Sequence, residues 1–208
     1  MIGIDEVMTR APVIPVLVLD GGIDPRALAE TLVEAGLSVL EVTLRTPQAL
    51  DAIRAMADVP GAIVGAGTVL NPDQLAQAQD AGAQFIVAPG LTEPLTRAAL
   101  GSGLAYLPGV ATAGDIMRGL DLGLSRFKFF PAEAAGGLSA LKALAGPFGG
   151  VRFCPTGGVR AETAGEWLAH PAVDCVGGSW IVPSGKPALS RIAELARAAA
   201  AMRRDSPA

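Results

Sequence analysis

Short β-branched or apolar runs recur along this chain at a near-constant interval, and that recurrence limits the fold more than any single residue does. The runs are Val13 to Leu19, Val39 to Thr43, Ala62 to Gly67, Phe85 to Ala88, Ala105 to Gly109, Arg126 to Phe130, Arg152 to Thr156 and Asp174 to Gly178. Their C-terminal ends fall about 21 to 26 residues apart. Each interval holds a helix-patterned segment with recognisable ends. Asp24-Pro25, Thr46-Pro47 and Asn71-Pro72 each place a capping side chain before a proline suited to the first helical position. Thr112 with Asp115 reads as a capping box, and Gly36, Gly82, Gly103 and Gly123 supply left-handed stops. Eight strands alternating with eight helices specify parallel β/α architecture. The strands are apolar on both sides of the pleat, as they must be when one face meets helices and the other a barrel interior. The expectation is therefore a single (β/α)8 TIM barrel over residues 1–208, with an open doubly wound sheet as the rival. Residues 1–10 are expected to form a helix across the bottom of the barrel, and residues 203–208 to fray.

Composition removes several classes of function. The chain has 208 residues, half of them apolar, and only 17% are charged. A domain of this size buries about 70% of its extended-chain surface, so one core suffices. A formal charge of −4 with no Lys/Arg cluster argues against nucleic acid or an anionic membrane as partner. No run of apolar residues is long enough to span a bilayer, and the N-terminus, with Asp5 and Glu6, makes a poor signal peptide. The cytoplasm is the expected compartment. Cys154 and Cys175 form no disulfide framework and lack zinc-ligand spacing, and the one histidine, His170, reads as a helix-end residue. A catalytic zinc site or a Ser-His-Asp triad is thus not expected.

In a barrel of this kind the reacting groups project from the C-terminal ends of the strands. Lys128 stands within an aromatic run, flanked by Phe127, Phe129 and Phe130, whereas the other two lysines, Lys142 and Lys186, fall in segments that read as exposed. Burial disfavours an ammonium, so a nucleophilic amine is expected there, able to add to a carbonyl and form a Schiff base. A snorkelling or structurally paired lysine is the plainer alternative. Glu41, Thr43 and Arg45 alternate along one face at the end of the second strand. Glu41 fits a general acid/base, or merely a salt-bridge partner; Arg45 offers a planar fork for a substrate carboxylate. Thr68 ends the third strand. Thr156-Gly157-Gly158 and Gly177-Gly178-Ser179 follow the seventh and eighth strands, where glycines let backbone N–H groups approach an anion. Tight turns alone would also account for them. A lysine, a carboxylate and an arginine at one barrel mouth suit cleavage or formation of a carbon–carbon bond.

At these residues the sequence resembles the 2-keto-3-deoxy-6-phosphogluconate (KDPG) aldolase and 4-hydroxy-2-oxoglutarate aldolase family. The resemblance rests on Pro12-Val-Ile-Pro-Val, Leu40-Glu-Val-Thr-Leu-Arg-Thr, Val64-Gly-Ala-Gly-Thr-Val-Leu-Asn-Pro, Ala88-Pro-Gly-Leu-Thr-Glu-Pro, Phe127-Lys-Phe-Phe-Pro-Ala-Glu, Phe153-Cys-Pro-Thr-Gly-Gly and Gly177-Gly-Ser-Trp. It implies a class I aldolase on a (β/α)8 barrel, usually a homotrimer, that needs no metal or other cofactor and cleaves KDPG to pyruvate and glyceraldehyde 3-phosphate. By that resemblance Lys128 forms the Schiff base and Glu41 is the general acid/base. Arg45, Thr68 and Thr156 surround the pyruvate carboxylate and reacting carbons, and Pro89 and Phe130 shape the pocket. Gly157, Gly158, Gly178 and Ser179 hold the phosphate. The competing readings are the 2-keto-3-deoxy-6-phosphogalactonate epimer as substrate, a phosphosugar isomerase or epimerase on the same barrel, and a non-catalytic phosphate sensor.

Overall fold

Apolar runs and helix signals of this kind become nine strand segments and nine helices among residues 2–183, 185 and 187–202, which the computed structural model describes. The order is α1 (Ile4–Thr9), β1 (Val13–Leu17), α2 (Pro25–Glu34), β2 (Val39–Thr43), α3 (Ala49–Ala57), β3 (Ile63–Gly67), α4 (Pro72–Asp80), β4 (Phe85–Val87) and α5 (Glu93–Ser102). It continues with β5 (Ala105–Leu107), β6 (Gly109–Val110), α6 (Ala113–Asp121), β7 (Arg126–Phe129), α7 (Gly137–Ala145), β8 (Arg152–Pro155), α8 (Ala161–Leu168), β9 (Val176–Gly178) and α9 (Leu189–Ala200). The expected frayed tail at 203–208 and the expected exposed position of Lys186 lie outside the described residues.

Pairing is parallel throughout and runs β5-β4-β3-β2-β1-β9 in one set and β6-β7-β8 in the other. The two sets join at both ends. β5 and β6 are one run of chain, split at Pro108, whose ring has no N–H to offer a ladder. Beyond that break the run pairs with β7 instead of β4, with Gly109 opposite Lys128. At the other seam Thr156 bridges Gly177 and Phe153 bridges Val173. The sheet therefore closes into a barrel of eight strands, the fifth made of two pieces, and the open-sheet alternative is excluded.

Every position of β1, β2 and β3 is buried, because both pleat faces are covered. Alternate residues point inward, and Ile14, Val39, Ile63, Phe85, Leu107 and Cys154 form an inner layer capped by Val7 and Met8 of α1. An ion pair of Asp5 with Arg126, at 2.6 Å, fastens α1 to the start of β7. The outward set, including Phe127, Phe129 and Phe153, belongs to the larger core under the helices. Phe127 fits against Gly119 of α6, and Phe129 meets Trp167 of α8 at a ring separation of 6.3 Å.

Asp24 accepts from the Ala27 N–H and Asn71 from the Gln74 N–H, as their proline-flanked positions require. Thr46 behaves otherwise. Its hydroxyl donates to the Leu19 carbonyl, and α3 starts three residues later, with no side-chain cap. The hydroxyl thus ties the β2–α3 turn to the end of β1. Gly36, Gly82, Gly103 and Gly123 all have positive φ after their helices.

The capping box opens α6: Thr112 accepts from the Asp115 N–H, and Asp115 accepts from the Thr112 N–H. Burial pushes the Asp115 carboxyl up, but bonds from the Thr112 hydroxyl and two backbone N–H groups, with the Arg118 charge, outweigh it and hold the group below the usual carboxylate range. A depressed pKa stabilises above the ordinary Asp range, and the gain is lost as pH falls through the folded value. Thr112→Ala is expected to lower stability by about 1 kcal/mol in urea unfolding at neutral pH. A change under about 0.3 kcal/mol would deny the box a stabilising role.

Candidate active site

The alternation that sends Phe127 and Phe129 outward sends Lys128 the opposite way, into the barrel. There its Nζ meets Oε1 of Glu41 at 3.2 Å, across the interior from β7 to β2. Both side chains are nearly inaccessible, at 6% and 4% exposure. Two charges withdrawn this far from water persist only with good geometry and a partner each, which the pair supplies. Nζ also lies 5.2 Å from the Phe130 ring centroid, within cation–π range. Of the three phenylalanines beside Lys128 in sequence, only Phe130 contributes to its surroundings in this way. The dry setting comes from the barrel lumen, not from the flanking rings.

Thr156, also buried, donates to the Cys154 carbonyl at 3.3 Å, and its hydroxyl lies 3.8 Å from the Cys154 Sγ. Gly177 makes room for it, since a Cβ there would lie 2.3 Å from the Thr156 Oγ1. Lys128 and Cys154 are register partners, so Thr156 sits just beyond the amine on the adjacent strand. Pro89 reaches the same region by its backbone. Its carbonyl oxygen would be 2.1 Å from a Cβ on Gly109, the other register partner of Lys128.

β2 stops at Thr43, so the alternation expected to carry Arg45 beside Glu41 ends short of it. Thr43 is fully buried and donates to the Leu17 carbonyl at 2.9 Å, a structural bond. Arg45 is exposed in the turn that follows, and its Nε donates to the Thr68 Oγ1 at 3.2 Å. Thr68 has φ 58°, a left-handed conformation that a β-branched residue adopts only under constraint. Two of the three side chains assigned to the carboxylate and reacting carbons, Arg45 and Thr68, are thus hydrogen-bonded to each other at the rim.

Gly157 and Gly158 have φ 97° and 84°, so their loop needs glycine for its backbone alone. Gly157 lies under the Phe130 ring and accepts from the Glu133 N–H at 3.0 Å. A Cβ on Gly158 would collide with the Glu133 side chain at 2.6 Å. Gly178 is buried between Val13 and Trp180, and Ser179 is exposed beyond it. Ser179 opens on a cavity of about 310 Å³ at the C-terminal ends of β1 and β9, lined also by Val16, Leu19, Asp20 and Ile23. Those residues of β1 and the loop after it were not singled out from the sequence as site residues. Their signal was faint: Val18, half-exposed just past the strand, is one of few large apolar side chains on the surface.

His170 follows α8, and its Nδ1 accepts from the Ala172 N–H at 3.2 Å; burial, and then the Lys142 charge, push its pKa down. Asp80 and Asp121 are exposed. Among the described residues no three His, Cys, Asp or Glu side chains gather where they could share a metal ion. Nor is any described helix long and apolar enough to cross a membrane.

This geometry has close counterparts. The family model described as KDPG and KHG aldolase matches residues 4–195. A curated 2-dehydro-3-deoxy-phosphogluconate aldolase of Zymomonas mobilis is 58% identical over 201 residues, 97% of each chain. The crystal structure of the 2-keto-3-deoxy-6-phosphogluconate aldolase of Zymomonas mobilis ZM4 with 3-phosphoglycerate superposes with a TM-score of 0.96 at 57% identity, covering 99% of this chain and 98% of that one. KDPG aldolase from Legionella pneumophila, with pyruvate captured at low pH as a covalent carbinolamine, superposes with a TM-score of 0.93 at 44% identity, covering 96% of this chain and 99% of that one. With sequence and backbone alike over nearly its whole length, the chain belongs to the KDPG and KHG aldolase family.

Proposed function

We propose that this protein is a class I aldolase that cleaves KDPG to pyruvate and glyceraldehyde 3-phosphate. The observation that carries the reading is the buried Lys128–Glu41 pair at 3.2 Å. The Nζ amine, its extra proton given up to water, attacks the C2 carbonyl with its lone pair. The carbinolamine so formed loses water to give an iminium, with solvent water supplying the proton the leaving hydroxyl needs. The iminium draws the electrons of the C3–C4 bond as that bond breaks. Glu41, acting through a water, takes the C4 hydroxyl proton, and the aldehyde departs. The resulting enamine takes a proton at C3, again from Glu41, and water then hydrolyses the imine to release pyruvate. The covalent pyruvate carbinolamine of the Legionella pneumophila relative is the species that precedes such an imine.

The other assignments follow the substrate outward. Arg45 and Thr68, joined at the rim, face the carboxylate with Thr156, while Pro89 and Phe130 wall the reacting carbons. The phosphate rests on the backbone of Gly157, Gly158 and Gly178 and on the Ser179 hydroxyl. 3-Phosphoglycerate in the Zymomonas mobilis relative, a three-carbon phosphate like the aldehyde product, supports a phosphate subsite. 4-Hydroxy-2-oxoglutarate, which has the same 2-oxo acid end, is the second substrate of the proposal. A single domain assembled as a homotrimer in the cytoplasm completes it.

The electron sink is the protonated imine, so the chemistry calls for no metal. KDPG is expected to yield pyruvate in a lactate-dehydrogenase-coupled assay at an unchanged rate in excess EDTA. Absence of pyruvate, or an EDTA loss that a divalent cation restores, would overturn the reading and favour an isomerase-type site.

A further inference from the structure

We infer that Gly67 is a positioning residue for Glu41, holding its carboxylate where it can serve the reaction; this rests on the acid/base reading of Glu41. Gly67 ends β3 in register with Thr43 of β2. Its φ is not in the left-handed region, so the backbone does not demand glycine there. Space does. A Cβ on Gly67 would lie 2.2 Å from Oε1 of Glu41, 2.7 Å from its Cγ and 2.8 Å from its Cδ, and these are the three nearest atoms it would meet. Oε1 is also the oxygen that accepts from Lys128. The carboxylate therefore lies in a notch one side chain deep, with bare strand backbone on one side and the amine on the other. Glycine inside a strand marks this kind of close approach.

Filling the notch moves the reacting oxygen. To regain ordinary contact from 2.2 Å, Oε1 must retreat by about 1 Å. Oε1, Cδ and Cγ all belong to one side chain, so that side chain yields and not the strands, and the acid/base group loses its place. A misplacement of about 1 Å lowers a positioned reaction step by roughly 100-fold. Gly65 supplies the control. It lies on the same strand, and a Cβ there would also collide, at 2.5 Å, but with the Phe85 ring in the inner layer.

The test is Gly67→Ala, read by two signals that a general packing defect would move together. Borohydride trapping of pyruvate reports imine formation, and deuterium exchange at pyruvate C3 reports proton transfer. Gly67→Ala is expected to retain trapping while exchange falls about 100-fold. Gly65→Ala is expected to change the two signals in parallel. In a Glu41→Ala background, where nothing is left to displace, adding Gly67→Ala is expected to change residual exchange by less than about twofold. Exchange within about twofold of wild type in folded Gly67→Ala, or a full further loss in the Glu41→Ala background, refutes the positioning role. Should Gly67→Ala fail to fold, recovery of folding in the Glu41→Ala double variant supports the collision, and failure of the double variant where Glu41→Ala alone folds refutes it. Glu41→Gln is measured alongside. Unchanged exchange in that variant removes the acid/base reading itself, a different failure from an indifferent Gly67→Ala.

Discussion

Lys128→Met is expected to reduce KDPG cleavage on the order of 10⁵-fold or more, because every later step proceeds through a bond to the amine it removes. In wild type, borohydride with pyruvate is expected to add a single pyruvyl group, located on Lys128 by peptide mass; in Lys128→Met the mass is expected to stay unchanged. Lys142, exposed on α7, is the internal comparison, and labelling there in place of Lys128 would end the proposal. The substitution also acts on stability. Methionine matches the length of lysine, but it leaves the Glu41 carboxylate, 4% exposed, without its cation. Removing one member of a buried pair lowers stability by about 3–5 kcal/mol. Lys128→Met/Glu41→Gln is therefore expected to recover much of the lost stability while remaining inactive. Pyruvate trapping separates a chemical role for the amine from a structural one: Glu41→Gln alone is expected to keep it and the double variant to lose it, which assigns the loss to the amine and not to the broken pair.

Glu41→Gln is expected to keep pyruvate trapping and to slow C3 proton exchange by about 10²–10⁴-fold. The amide fills the same notch over Gly67 and can still meet the Lys128 amine, so volume and position are kept. Only the capacity to take and return a proton is lost. Isotope exchange is the sharper readout, because it needs the imine and the proton transfer but not the C3–C4 bond. Exchange at the wild-type rate would transfer the acid/base role to another group. Loss of trapping would instead mean that Glu41 is needed to prepare the amine.

Much of the molecule was legible in the sequence because the barrel repeats one physical unit. Each strand needs two covered faces and each helix needs a start and a stop, so the apolar runs and the Asp24, Asn71 and Thr112 caps declare themselves locally. Lys128 was legible for the opposite reason, as a charge where the local pattern asks for an apolar side chain. What escaped depends on neighbours distant in the chain. Thr46-Pro47 has the form of a cap, but the Leu19 carbonyl claims the hydroxyl. The fifth strand reads as one run, yet Pro108 hands it from β4 to β7. Phe127 and Phe129 suggest an aromatic nest for the lysine, whereas alternation turns them toward α6 and α8. Arg45 follows the period of two on paper, but the strand ends before it, and its hydrogen bond to Thr68 belongs to the rim. Gly67 read only as the last residue of the third strand run, Ala62 to Gly67. Its meaning lies in the Glu41 side chain, which reaches it from the neighbouring strand.

The seam between β1 and β9 joins residues far apart in the chain, with Val13 opposite Val176. During synthesis, then, the first strand waits with one flank unsatisfied until the chain through Gly178 has left the ribosome. Loop-closure entropy is spent before that last ladder returns anything, and partly assembled sheets with open flanks can stick to one another. The same seam that removes every exposed edge from the finished enzyme makes its assembly a race between completing the ring and finding a wrong neighbour.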